Sequence, residues 1–427
     1  MGDQTGPEAM TNDVIRVHQD PCALDGAAWN ALLDRQSRPT PFMRWEYLAA
    51  LHASGSAIAR TGWSPRFVTV ERAGQLVAAA PAYLKSHSYG EYVFDWAWAS
   101  AYEQHGVPYY PKAVIAVPFT PVPGSRLLAR DAATRALLVQ AVCQWCEQEN
   151  VSSVHVLFAS DDDVQTSVQQ DLMLRHTVQF HWKNEPPTLV AAQGEAAKDG
   201  QTPRYRDFDH FLASLSQDKR KKIRQERRRV SDAGVTFRWS RGTDISEADW
   251  DFFYRCYERT YLEHGNPPYL TRDFFARMAA HMPEAWLLFV GERDGRPIAS
   301  SLIAIGAYES SATVPDDSDS GSEPGTGLVA YGRYWGALER VDCLHFEACY
   351  YQPLRWCIAH GAVRFEGGAQ GEHKMARALL PVQATSAHWL EHPTFAEAVQ
   401  RFLEREGAGV ENYLESLHQR LPFKQAP

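Results

Sequence analysis

The twelve residues EGGAQGEHKMAR, Glu366 to Arg377, hold two carboxylates, a histidine, two cations and three glycines. Glu366, beside apolar Phe365, could accept a proton or clamp an ammonium once partly desolvated. His373 titrates near neutral pH, and Lys374 and Arg377 can hold anions. Gly367, Gly368 and Gly371 let backbone N–H groups approach a ligand closely, with Gln370 among them as a further contact. A plain turn needs one or two glycines and none of this charge. The segment therefore reads as one wall of a ligand cleft.

Such a wall needs elements to hold it. The preceding AVRF reads as a buried strand, which puts Glu366 at the carboxyl end where α/β units usually meet ligand. Upstream, HFEACYYQ (345–352) opens a helix in which Glu347 lies one turn before Tyr350 and Tyr351, directed to the same cleft. Pro353 should kink or break that helix. Tyr331, Tyr334 and Trp335 alternate as in a half-buried strand that also carries Arg333. Each group has a plainer role open to it. Glu366 could pair with Arg364 or Arg333, Glu347 and His345 could cap the helix, His373 could be a surface histidine, and the aromatics could be core.

One pattern occurs twice. RFVTVERAGQLVAAAPAYL (66–84) and WLLFVGERDGRPIASSLIAI (286–305) each read strand, Gly turn, strand. Each copy then predicts a third aromatic strand, EYVFDWAW (91–98) and LVAYGRYWG (328–336). A helix follows that ends in a Trp-Cys pair, Trp145-Cys146 and Trp356-Cys357, and then a closing strand. The repeat implies two similar α/β domains. They read as 14–185 and 205–427, joined by a linker over 186–204. Residues 1–13 read as a disordered N-terminus, and the acidic Ser/Gly/Pro-rich 309–327 as a disordered hairpin insertion. The loop 99–124, rich in proline and aromatics, should pack over the interdomain cleft.

The bulk numbers set limits. With 44% hydrophobic residues, 13 Trp, 18 Tyr and 19 Phe, the 427-residue chain builds substantial cores. A formal charge of −9 argues against a general nucleic-acid coat. No run of apolar residues is long enough to span a membrane, and the N-terminus lacks a secretory pattern. Seven cysteines without a framework suit a reducing compartment, so the expected location is cytoplasmic. Cys143 and Cys146 form a C-x-x-C without a second pair, so no metal site is expected.

Against this acidic background stands SQDKRKKIRQERRRVSDAG (216–234). Lys219, Arg220, Lys221, Lys222, Arg224, Arg227, Arg228 and Arg229 crowd into eleven positions. Phe208, Phe211, Leu212 and Leu215 recur upstream at helical spacing, which predicts one amphipathic helix ending at Gly234. Eight like charges repel unless a polyanion meets them, such as a nucleotide pyrophosphate, tRNA or an anionic lipid head group.

SLSQDKRKKIRQERRR, YGRYWG, HFEACYYQ and FEGGAQGEHKMAR together resemble a bacterial family of predicted N-acyltransferases. That family is related to Fem-type peptidoglycan aminoacyltransferases and, more distantly, to the GNAT superfamily. The resemblance covers about Val14 to Phe423. It implies an α/β fold of two tandem GNAT-like domains with mixed sheets, and transfer of an acyl group from a phosphate-bearing carrier to an amine. Aminoacyl-tRNA or acyl-CoA would be co-substrate, with no permanently bound cofactor. The acceptor would be an amine on a peptidoglycan-type, peptide or lipid-linked substrate, reached at a membrane surface. Ordinary GNAT enzymes place a Q/R-x-x-G-x-G/A turn before the helix; RYWGALERVDCLHFEACYY has only Gly336, which counts against coenzyme A held in the usual way. Acyl transfer to an amine needs a proton acceptor and oxyanion donors. The expected catalytic residues are then Glu366, Glu347 and His373, and Lys219, Arg220, Lys222, Arg224, Arg227 and Arg228 would hold the carrier. Tyr331, Arg333, Trp335, His345, Tyr351, Gly367, Gly368, Gln370, Gly371, Lys374 and Arg377 would contact substrate. The alternative is a degenerate scaffold that binds tRNA or an anionic envelope precursor through the basic helix without catalysis.

Overall fold

A computed structural model describes residues 13–187, 204–309, 326–369 and 371–424. The expected disordered N-terminus, most of the linker, most of the 309–327 insertion, and Gln370 lie outside the described residues.

The first half contributes β1 (Asp13–His18), β2 (Trp63–Pro65), β3 (Phe67–Arg72), β4 (Gln75–Ala80) and β5 (Ala82–Lys85). After these come β6 (Lys112–Ile115), β7 (Leu128–Ala129), β8 (Ser153–Ala159) and β9 (Met173–Lys183). The second half contributes β10 (Val235–Arg241), β11 (Trp286–Arg293), β12 (Arg296–Glu309), β13 (Thr326–Ala337), β14 (Ala362–Ala369) and β15 (Leu380–Leu390). A four-stranded sheet runs β1-β3-β4-β7. An eleven-stranded mixed sheet runs β10-β11-β12-β13-β14-β9-β15-β8-β6-β5-β2.

The two hairpins match in detail. Ala73-Gly74 and Asp294-Gly295 both turn with positive φ at both positions, as a type I′ connection requires. Each hairpin also slips register at the same place, after Val70 in one and after Gly291 in the other. Pro81 then separates β4 from β5, because proline has no N–H for the ladder, whereas β12 runs unbroken. In both halves an antiparallel pair leads into a parallel one: β5-β6-β8 and β12-β13-β14. The last strand of the chain, β15, is seated between β8 and β9, so the two halves share one sheet.

Two expected elements differ. Residues 91–98 are not a strand but an irregular segment entering a helix, Trp96–Gln104. The strand in the corresponding place is β6, inside what reads as the 99–124 loop. The alternation that mimics a strand arises because Glu91 and Asp95 point inward onto buried Lys112. The predicted single basic helix is two, Phe208–Ser214 and Gln217–Asp232. Leu215 is extended and bridges to Phe423, and Ser216 occupies the N-cap position, a residue type favoured there. The second helix buries Ile223, Glu226 and Val230 and ends before Gly234, whose φ is 75°.

Candidate active site

Parallel strands β13 and β14 pair only from Leu328/Ala362 to Tyr331/Glu366. Beyond that point they part, β13 following β12 while β14 joins β9. An open cavity of about 140 Å³ occupies the gap. Its walls are Ser301 and Ile303 of β12, Gly332 to Trp335 of β13, and Phe365 and Gly367 of β14. His345, Cys349 and Tyr350 close it from the helix side.

Local sequence shapes these walls. β12 pairs Leu302 with Tyr334 and Ile303 with Gly332, which leaves Arg333 as a bulge without a ladder partner. A Cβ on Gly367 would stand 2.3 Å from Leu379 Cδ2 and 2.9 Å from the Phe180 carbonyl oxygen. Only glycine fits there. The helix side runs Leu344–Phe346, a π turn Glu347–Tyr351, and Gln352–Ala359. Pro353 lacks an N–H and crowds the carbonyl four residues back, and the wide turn relieves both. The Ser301 hydroxyl donates to the Ala348 carbonyl at 2.6 Å, fastening the turn to the sheet.

The segment after β14 is tied in by its own charges. Buried Lys374 donates to the carbonyls of Gly367 at 2.6 Å and Ala369 at 2.8 Å. Gly371 turns with φ 92°, and a Cβ there would strike the His373 ring. His373 is exposed, stands 3.3 Å from the Tyr350 hydroxyl, and is pushed below its usual range by partial burial and then by Arg377, Lys374 and Lys222. Arg377 is buried 3.7 Å over the Phe346 ring. Burial, reinforced by His373 and Arg377, lowers His345 to about 4, so its ring is neutral at neutral pH. Burial pushes the Cys349 thiol up, which makes it a poor nucleophile.

The structure brings Trp335, His345 and Gly367 together around the cavity, with Arg333 beside them and His373 packed on Tyr350 of its wall. It places the expected carboxylates elsewhere. Strand alternation turns Phe365 and Gly367 to the cavity and Glu366 to the opposite face. There Arg38 and Arg364 each reach Glu366 at 2.9 Å, and Tyr331 lies alongside. Burial disfavours the Glu366 charge, but His181, Arg38 and Arg364 outweigh it and hold the carboxyl below its usual range. Glu347 points to the basic helix, where Arg227 donates to both of its oxygens at 3.1–3.2 Å. Tyr351 donates to Glu226. The Arg333 guanidinium crosses to the first half and donates to the Phe119 carbonyl at 2.8 Å. Gly368, with φ 72°, faces open space. Sequence reasoning missed Ser301, Ile303, Gly332, Tyr334, Cys349, Tyr350 and Phe365 as lining, because they come from separate elements that only the sheet topology joins.

Of the basic helix, Lys221, Lys222, Arg224, Arg228 and Arg229 are exposed and Lys219 and Arg220 half-buried. Among the described residues only Arg227 of these cations holds an ion pair, the one to Glu347. Lys222 lies near enough to His373 to depress its titration, so the cationic face runs to the rim of the cavity.

A repeated α/β unit whose parallel strands open around a small cavity defines a fold of two tandem GNAT-like domains with mixed sheets. The chain belongs to the FemAB-like family, described as peptidoglycan biosynthesis/recognition, whose profile matches residues 22–425. Among solved structures it is similar to FemX, at 10% identity and TM-score 0.47 over 88% of this chain and 98% of that one. It is similar to L-PGS from Bacillus licheniformis, at 10% and 0.49 over 91% and 99%. A tandem GNAT protein from the clavulanic acid biosynthesis pathway aligns at 9% and 0.42 over 90% and 99%. No curated protein matches the sequence. Among the described residues no helix is long and apolar enough to cross a membrane.

Proposed function

We propose that the protein is an acyl- or aminoacyltransferase that moves a small acyl group from a phosphate-bearing carrier, aminoacyl-tRNA or acyl-CoA, to an amine on a peptidoglycan-type or peptide acceptor. One observation carries this reading: the cavity between β13 and β14 opens beside a helix whose cations have almost no carboxylate partners among the described residues. The carrier's phosphates meet the helix while its acyl end enters the cavity. At about 140 Å³ the cavity suits a small acyl or aminoacyl group, since pockets for larger ligands run to roughly 300–1,000 Å³.

The chemistry follows from the lining. We assign a backbone N–H of the Arg333 bulge, which lies in the cavity wall, as donor to the oxygen that becomes negative as the amine attacks. Most of the acceleration comes from holding carrier and amine together. An acceptor ammonium, with an ordinary pKa of about 10.4 for a lysine-like amine, must lose its proton first. The exposed His373 ring at the rim, in contact with the Tyr350 hydroxyl, offers a group to take it, while His345, too weak a base at about 4 to hold that proton, lines the wall as a neutral hydrogen-bond partner. Glu347 and Glu366 act at a distance, Glu347 by holding Arg227 and Glu366 by joining β14 to Arg38 of the first half.

The test is transfer itself: the protein is incubated with charged tRNA or acyl-CoA and with lipid-linked or soluble muropeptides, and products are read by mass. Donor-dependent mass gain on an amine, lost in His345→Ala, supports the reading; no gain with any pair overturns it. One observation favours the non-catalytic scaffold instead, the engagement of both Glu347 and Glu366 in ion pairs outside the cavity. That reading requires tRNA or precursor binding without transfer.

A further inference from the structure

Residues Ser86–Trp96 turn their side chains the reverse way from an ordinary soluble surface. Ser88, Glu91 and Asp95 point inward and are 3–4% exposed. Tyr89, Phe94 and Trp96 point outward at 61%, 55% and 43%, while Tyr92 turns its hydroxyl inward toward Arg333. Aromatic side chains belong inside and carboxylates outside, so something must hold this arrangement. Lys112, fully buried, is the holder: its ammonium donates to Ser88 and Glu91 at 2.8 Å each and pairs with Asp95. The exposed rings are thus presented by a fixed backbone. Tyr89 and Trp96 stand 5.3 Å apart and His87 lies 5.3 Å from Tyr89, forming one patch.

The ring side chains of the patch carry no formal charge, and Arg175 beside them, which donates to the Phe94 carbonyl at 2.7 Å, is paired with Glu406. The segment's carboxylates are buried beneath the patch, Lys85 is buried over the Trp63 ring, and burial lowers His87 so that it is neutral at neutral pH. Rings with an apolar body and a polar tip, free of formal charge, suit the boundary between lipid head groups and acyl chains, where charge is costly and Tyr and Trp collect. The patch also joins the candidate active site. Gly90, with φ 81°, accepts from the Phe119 N–H at 3.2 Å, and the Phe119 carbonyl accepts from Arg333 at 2.8 Å. We propose that Tyr89, Phe94 and Trp96 seat the protein on a membrane by entering this boundary, which brings the Arg333 side of the molecule toward the lipid surface. The inference is independent of the donor and of the transfer chemistry.

The experiment is sedimentation of the full chain with vesicles of phosphatidylcholine alone, at about 0.15 M and 1 M NaCl, since high salt screens any contribution of the basic helix. Binding is expected to survive 1 M salt and to fall at least 10-fold in Tyr89→Ser/Phe94→Ser/Trp96→Ser. Brominated phosphatidylcholine should quench part of the tryptophan emission, and Trp96→Phe, which keeps a ring in place, should abolish that part. No binding to neutral vesicles, binding lost at high salt, or quenching unchanged in Trp96→Phe overturns the proposal. Protection of Trp96 by a soluble muropeptide in place of lipid also overturns it. Transfer to a water-soluble acceptor reads the proposed reaction separately.

Discussion

Arg377 and Glu226 form a buried ion pair at 2.7 Å, 151 residues apart in sequence, that fastens the segment after β14 to the inner face of the basic helix. Arg377 is 1% exposed and Glu226 is 7%. The same carboxylate accepts from the Tyr351 hydroxyl, so one residue joins helix, π turn and glycine-rich segment. The relation between the two motifs that stand out in the sequence is therefore mechanical as well as electrostatic.

Glu226→Ala should cost about 3–5 kcal/mol, because it leaves a buried guanidinium and a buried hydroxyl without their partner. Glu226→Leu combined with Arg377→Met removes both charges and should cost much less than the single change. Urea unfolding of the three proteins measures this. A single-variant loss below 1 kcal/mol would show that the pair does not hold the segment.

Gly367 and Gly368 are neighbours with opposite demands. Gly367→Ala drives a methyl into Leu379 and the Phe180 carbonyl, so the wall of the cavity must move, at about 1–3 kcal/mol and with a large loss of transfer. Gly368→Ala meets nothing within 4 Å and costs only its left-handed backbone, about 1–2 kcal/mol. Paired thermal melts and kcat/KM values should show transfer falling far more in Gly367→Ala than stability alone explains. Equal transfer in the two variants would separate this wall from the reaction.

Much of this was legible in the sequence, for identifiable reasons. The hairpins at 67–80 and 286–309 announce themselves by alternation around a Gly turn, a local signal. The glycine-rich segment is recognisable because its charge exceeds what a turn needs, and Gly367 does line the cavity. Glu366 misled because one step along a strand reverses the face, and a single sequence does not say which face is open. The segment 91–98 misled for a related reason: its two-residue period is real, but it reflects Lys112 gathering carboxylates inward. Ser301, Cys349 and Phe365 meet only because β13 and β14 diverge, a property of topology that no spacing encodes.

Lys112→Met should destabilise the first half by about 3–5 kcal/mol, since it strands Glu91 and Asp95 in a dry interior. Burial already raises Glu91 to about 7 with the lysine present. Hydrogen exchange over residues 86–96 should accelerate before global unfolding, because this ammonium is what pins the segment. Unchanged protection there would mean that the backbone holds itself.

Acid should weaken the fold earlier than carboxylates alone predict. Burial lowers His181 to about 4 and His155 to about 3, against an ordinary value near 6.5. Between those limits the unfolded chain binds protons that the folded chain refuses, so stability falls as pH drops below about 6.5 and keeps falling to about 4 for His181. Over that window His181 alone accounts for about 3 kcal/mol. Glu366, held below its usual range, adds a loss only at lower pH, from about the ordinary carboxylate value of 4.3 downward, where the unfolded chain takes up a proton that the folded carboxyl still refuses. Urea midpoints taken from pH 7.5 to 4.5 should decline steadily, and His181→Gln should flatten the upper part of that decline. A midpoint constant from pH 6.5 to 5 would show that these rings are already protonated in the folded protein.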